Sequence, residues 1–248
     1  MVPGLAVYLR GPRLWGKAAL TACALLFLFF IVWLGYPFGN YAFGMMLSIH
    51  TTGFVYYCSP WLINEPFRSR IFLTIGLMLA LGLVIYWPLR SAIQNHWLMP
   101  LRVNGHVIVV QRLVSTRTVR RGDWIAYKLS RSSDDDAFGY AEDTRIYVHS
   151  GIGFGPLLAA GSDRVEFSTN SFAVNGISQP LLPHMPISGM VTVPENQWFI
   201  WPNLGISGHG NVGAVNISAI MLRMATVPEN QFIGKPFKRW FWRKQILQ

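Results

Sequence analysis

Two runs of this chain carry no charge and are long enough to cross a bilayer. They are Ala18–Tyr36, "AALTACALLFLFFIVWLGY", and Ile71–Trp87, "IFLTIGLMLALGLVIYW". At 1.5 Å per helical residue, about 20 apolar residues span a hydrocarbon layer of roughly 30 Å. Composition agrees: 52% of the 248 residues are apolar and only 13% are charged, whereas a soluble domain is about a quarter charged. The first run has neither the short apolar region nor the small-residue cleavage site of a signal peptide, so it is expected to stay as an anchor over about 18–36. Pro88 and Arg90 are expected to end the second span, at about 71–88.

Between them lies Tyr41–Ile63, uncharged but containing Ser48, His50, Thr51 and Thr52. It is either a polar third span, about 41–63, or an external loop. Basic residues collect on the cytoplasmic side of membrane helices. Arg10, Arg13 and Lys17 therefore place the N-terminus inside, and Arg68 and Arg70 place the second loop there too. Both hold only if the middle segment crosses. Residues 1–94 are thus expected to form a three-helix anchor in the plasma (inner) membrane. Residues 95–248 then lie on the periplasmic or extracellular side.

The net charge is +10. Its basic residues flank the apolar runs or gather in patches rather than forming a nucleic-acid footprint, so nucleic acid is not an expected partner. Cys23 and Cys58 sit in apolar stretches and read as small buried hydrophobes, with no CxxC, zinc or disulfide pattern. His50 reads as a neutral histidine bonded to a neighbouring helix rather than as a metal ligand. No cofactor or metal is expected.

From Arg102 the texture changes to short β-branched runs, such as "HVIVVQRLV", "DWIAYKL" and "DRVEFSTNSFAVNG", broken by Gly, Pro, Asn and Asp. That pattern predicts strands joined by turns, with no helical period longer than two turns. An acidic insertion at about 130–143 holds Asp134, Asp135, Asp136, Glu142 and Asp143. It lacks the EF-hand register and reads as a solvated hairpin loop. "TVPENQ" occurs twice, at Thr192–Gln197 and Thr226–Gln231. Two short matches do not make a solenoid. Pro followed by Glu-Asn is turn chemistry, and each copy is expected to start a strand.

Several phrases stand in an order that resembles the β-domain of type I signal peptidases: "NGHVIVVQRL", "VRRGDWIAYKL", "GSDRVEFSTNSFAVNGISQPL", "VPENQWFIWPN", "GNVGAV" and "IGKPFKRWFW". The resemblance runs from Asn95 to Trp242. It implies an α+β membrane protein, with N-terminal transmembrane helices followed by a mostly antiparallel β-domain of signal-peptidase type. It also implies leader-peptide cleavage by a serine with a lysine as general base. A hydroxyl attacks only when a neighbouring base takes its proton.

The catalytic positions depart from that pattern. Counting back from Gly105 puts Pro100 on the proline of the family's Ser-Met-x-Pro motif and Trp97 on its serine. The nearest upstream hydroxyl is Ser91, and Ser115 is a second candidate. Counting without gaps from Asp163 puts Gly155 on the family's lysine. With an insertion in "FGPLLAA", His149 takes the base position instead, as histidine does in eukaryotic and archaeal relatives. Trp201-Pro202-Asn203 and Gly208-His209-Gly210 stand where the family has its Gly-Asp-Asn and Asp-Ser-Arg residues.

The resemblance with these losses implies a catalytically silent relative, acting as a peptide-binding or structural subunit of a membrane assembly. Its partners would be the lipid bilayer and other membrane proteins or an extended peptide. The competing expectation is a divergent serine endopeptidase that uses His149 as base. A transporter component built on the polar middle span is a third reading. The tail over 235–248, with "KPFKRWFWRK" at its head, mixes bases and aromatics. It suits anionic headgroups or an acidic neighbour, or else is the solvated end of the last strand.

Overall fold

The computed structural model describes residues 4–103, 105–129, 151–202 and 214–245, with backbone only at 214–216 and 220. The acidic insertion, His149, Asn203 and Gly208–Gly210 lie outside the described residues. The chain divides into two units: Met1–Val109 with Arg239–Gln245, and Val110–Lys238 with Ile246–Gln248.

The first unit is helical. It holds α1 (Leu5–Arg10), α2 (Arg13–Val32), α3 (Pro37–Leu62), α4 (Phe67–Leu81) and α5 (Trp87–Ala92). A Cβ on Gly16 would stand 2.4 Å from the Tyr8 Cα, so α1 lies directly on the start of α2. Pro37 starts α3, where its missing N–H costs no helical bond. α4 does not stop at the expected Pro88. It continues through a π-turn (Gly82–Tyr86), α5 and a second π-turn (Ile93–Trp97), giving one apolar helix over Phe67–Trp97. Pro88 lacks the N–H for an interior helical bond, and the widened turn just before it absorbs that loss.

Arg13–Val32 and Phe67–Trp97 are the two described helices long and apolar enough to cross a membrane, by length and composition. α3 is a single 26-residue helix in which His50 and Thr51 are buried while Asn40, Ser48 and Thr52 are exposed. His50 Nδ1 lies 3.2 Å from the Tyr86 hydroxyl, which donates to the Met46 carbonyl at 3.2 Å. Thr51 Oγ1 donates back to the Leu47 carbonyl. The expected role of His50, bonded to a neighbouring helix, is what the structure shows.

Among its described residues the second unit is antiparallel β with one α-helix. Its larger sheet runs β2 (His106–Gln111), β11 (Phe232–Pro236), β3 (Trp124–Leu129), β4 (Gly151–Ala159), β9 (Gln197–Ile200) and β10 (Thr226–Pro228). β2 enters it through Val110 and Gln111, which pair with Pro236 and Lys235. In the first unit, β1 (Leu98–Val103) pairs with β2. A four-stranded sheet runs β7 (Ile177–Pro180), β6 (Ser171–Val174), β5 (Arg164–Phe167) and β8 (Gly189–Thr192). β6 and β7 meet at Asn175-Gly176, both with positive φ, as a two-residue primed hairpin turn requires.

α6 (Ala214–Ala225) corrects the expectation of no helical period in this part of the chain. Ile217, Met221 and Ala225 recur every four residues, and they pack on a core of Val165, Phe172 and Phe199. The polar, Gly-rich text just before the helix obscures that period in the sequence. A second core, Ile125, Tyr127, Leu157, Trp198 and Ile200, belongs to the larger sheet.

The repeated hexapeptide is turn chemistry, as expected, but its two copies close differently. In the first, Asn196 adopts φ 59° and Gln197 N–H bonds to the Pro194 carbonyl. In the second, Glu229–Gln231 form a 3₁₀ turn and Phe232 N–H bonds to the Glu229 carbonyl. β9 and β11 follow directly. The copies also touch, because Val227 pairs with Trp198 and Glu229 N–H bonds to the Asn196 carbonyl.

Candidate functional site

Two turns of the β-unit are built alike. Each ends in an aspartate that folds back to accept a backbone N–H three residues earlier. Arg120 N–H donates to Asp123 Oδ2 (2.9 Å), and Ala160 N–H donates to Asp163 Oδ2 (2.7 Å). The third residue of each has positive φ, Gly122 at 84° and Ser162 at 71°. Each turn is then stitched to a neighbouring strand by two backbone bonds. Gly122 and Asp123 exchange bonds with Leu157, and Ser162 and Asp163 exchange them with Val193.

Cations complete both carboxylates. Lys235 Nζ is 2.7 Å from Asp123 Oδ2. Partial burial pushes the Asp123 carboxyl up, but the Lys235 hydrogen bond and charge, the Arg120 N–H and the charge of Lys238 together hold it below the usual carboxylate value. Asp163 is buried, and Arg121 donates to both of its oxygens (2.5 and 2.6 Å). Asn175 Nδ2 donates to Asp163 Oδ1 at 2.8 Å, and its own Oδ1 accepts from Arg164 N–H. Arg121 of the first turn thus grips the aspartate of the second, and the β6–β7 hairpin is tied to the same carboxylate. Both acids have their lone pairs engaged by donors. They hold strands in place rather than offering a free base.

Of the expected catalytic positions, His149 lies outside the described residues, and Trp97, Ser91, Ser115 and Gly155 lie within them. Trp97 ends the long helix with 56% of its surface exposed. Ser91 lies within α5, half-buried, and its Oγ accepts from Asn95 Nδ2 at 2.8 Å. An amide donor cannot take the hydroxyl proton. Ser115 is exposed and caps a 3₁₀ turn by accepting from Arg117 N–H. Gly155 sits buried in β4, where a Cβ would stand 2.2 Å from the Trp201 carbonyl oxygen and 3.0 Å from the Ile200 side chain. No lysine fits there without parting β4 from its neighbour. Trp201 itself belongs to the core and donates through its indole N–H to the Pro183 carbonyl at 2.9 Å.

No family model matches this chain, and a search of curated proteins finds no match.

Sequence reasoning missed two features. The first is the paired aspartate turns, legible afterwards as "RRGD" and "AGSD". The second concerns the tail. Trp240 Nε1 donates to the Ile31 and Val32 carbonyls, the last turn of α2. The Arg243 guanidinium lies 4.7 Å from both the Trp33 and Tyr36 ring centres and donates to the Val32 carbonyl. Sandwiching a cation between two aromatic faces is favourable where water is partly excluded. Nothing in local spacing announces this, since the partners stand two hundred residues apart. Among the described residues no group of three metal-ligating side chains occurs.

Proposed function

We propose that this chain is a membrane-anchored, signal-peptidase-like protein that has lost catalysis and serves as a peptide-binding or structural subunit of a membrane assembly. The observation that carries the reading is Gly155. At the ungapped position of the family's lysine there is no side chain, and the Trp201 carbonyl fills the space one would need. Trp97 at the nucleophile position supports it, because an indole cannot attack a carbonyl. β7 and β8, the edges of the four-stranded sheet among the described residues, expose Ile177 and Met190. Such edges can pair with an extended peptide through the main chain without a nucleophile.

The three-span, multi-pass topology belongs to the same proposal. α3 is long enough to cross, at roughly 39 Å by helical rise. Two of its polar residues, His50 and Thr51, are buried and bonded within the helical unit. With the basic loops inside, the β-unit lies on the periplasmic or extracellular side.

The purified chain in nanodiscs, incubated with a leader-bearing substrate, is expected to bind it and leave it intact. Cleavage that disappears in His149→Ala would instead establish the divergent endopeptidase.

A further inference from the structure

The chain's last described hairpin breaks two local rules. β12 (Arg239–Trp240) and β13 (Arg243–Lys244) are joined by Phe241 and Trp242, with Arg239 directly opposite Lys244. Phe241 has φ 54°, in the left-handed region that favours glycine or asparagine, and a bulky side chain there is strained. Like charges directly opposite on a strand pair destabilise it. Yet the hairpin is held firmly, since Trp240 and Arg243 lock onto the end of α2. What this mount presents outward is Phe241 at 48% exposure, Trp242 at 69%, and the exposed Arg239 and Lys244.

Within the first unit this charge meets almost no opposite charge. Glu65 is the only carboxylate side chain in Met1–Val109, and Arg239–Gln245 contains none. Glu65 stands at the far end of α3, whereas the hairpin clasps Trp33 and Tyr36 beside the start of that helix. Phe38, also exposed, lies in the first turn of α3. Aromatics at helix ends, next to cations, are what a water–lipid boundary selects.

From this juxtaposition we infer that the β12–β13 hairpin is an interfacial anchor: Phe241 and Trp242 enter the headgroup layer of an anionic leaflet, and Arg239 and Lys244 bind its phosphates. The inference rests on the membrane reading above. It explains both broken rules, because headgroups screen the opposed cations and the left-handed turn throws the two rings outward together.

The test uses the full chain carrying Cys58→Ser, with the buried Cys23 retained, and an environment-sensitive fluorophore on Trp242→Cys. Leu28→Cys, an exposed position within α2, is the reference site. Each is reconstituted in nanodiscs of phosphatidylcholine alone or mixed with phosphatidylglycerol, and quenched by lipids spin-labelled at shallow or deep positions. The Trp242 site is expected to be quenched by the shallow label and more strongly with phosphatidylglycerol. Arg239→Glu combined with Lys244→Glu should abolish that lipid dependence. A Trp242 site in water while the Leu28 site is quenched overturns the anchor and leaves the membrane reading standing. Quenching indifferent to headgroup charge overturns the anionic assignment. A Leu28 site that no lipid reaches overturns both. As a second variant, Phe241→Gly should raise the melting temperature in detergent by relieving the turn, yet weaken shallow quenching.

Discussion

The two units of this protein use apolar residues in opposite ways. The helical unit turns many of its large side chains outward: no residue of α4 is buried, and Phe72, Leu79 and Leu83 are exposed. Its buried positions are still mostly apolar, among them Phe30, Leu34, Phe43 and Met46, with His50 and Thr51 as polar members of the same interior. The β-unit does the reverse, with Val165, Phe172, Phe199 and Ile200 fully buried and charged residues on turns. The contrast teaches what each unit needs from its surroundings. A sheet core hides its apolar surface from water by itself, whereas the helices leave theirs exposed, which the proposed membrane anchoring would cover with lipid.

The sharpest way to break this contrast is to exchange the costs. Phe172→Ala removes a fully buried ring and should destabilise the β-unit by about 3–5 kcal/mol. Leu79→Ala should cost under about 0.5 kcal/mol in detergent unfolding. Leu79→Lys should instead lower membrane insertion by roughly 2.5–3.5 kcal/mol, read in a glycosylation-type insertion assay. If Leu79→Lys left insertion unchanged and improved solubility, the helical unit would not be a lipid-facing one.

Gly155→Ala comes next. Even one methyl meets the Trp201 carbonyl, so we expect a loss of about 1–3 kcal/mol in chemical denaturation. A neutral result would mean that β4 and the Trp201 strand separate easily, and would reopen the base position.

A smaller effect concerns pH. The Asp123 carboxyl is held low in the folded state, so its contribution is fully present above the unfolded aspartate value near 3.9 and is lost as pH falls through the lower folded value. Asp123→Asn should therefore flatten the stability profile below about pH 4. Its cost at neutral pH should be under about 1 kcal/mol, typical of a single partly exposed pair.

The smallest effect is expected at Tyr127. Its ring is fully buried, its hydroxyl has no hydrogen-bond partner among the described residues, and burial pushes the phenol up. Tyr127→Phe removes an unsatisfied polar atom and should be neutral or slightly stabilising in the same denaturation assay. A clear loss would point to a partner for that hydroxyl.

How much of this was readable in the text depended on the range of the interaction. The apolar runs were legible because they are set by neighbouring residues. The end of the second long helix was misplaced because Pro88 signals a break, while a π-turn lets the helix pass it. α6 was obscured by the Gly- and Asn-rich residues before Ala214, although Ile217, Met221 and Ala225 carry its period. At the candidate site, the substitution of indole for serine was plain at Trp97. The crowding at Gly155 was not, since it depends on a carbonyl from another strand. The Arg121–Asp163 grip and the Arg243 sandwich join distant segments, and no single-sequence pattern encodes them.

The seal that Trp240 and Arg243 place on the end of α2 has a consequence for the order of assembly. A ribosome delivers α2 long before it delivers residues 239–245, so the Val32 carbonyl waits through the synthesis of the β-unit for Trp240 and Arg243, while that of Ile31 already accepts from Leu34 N–H. Maturation of the amino-terminal bundle is therefore a late event. A clipped tail would injure the part of the molecule that was made first.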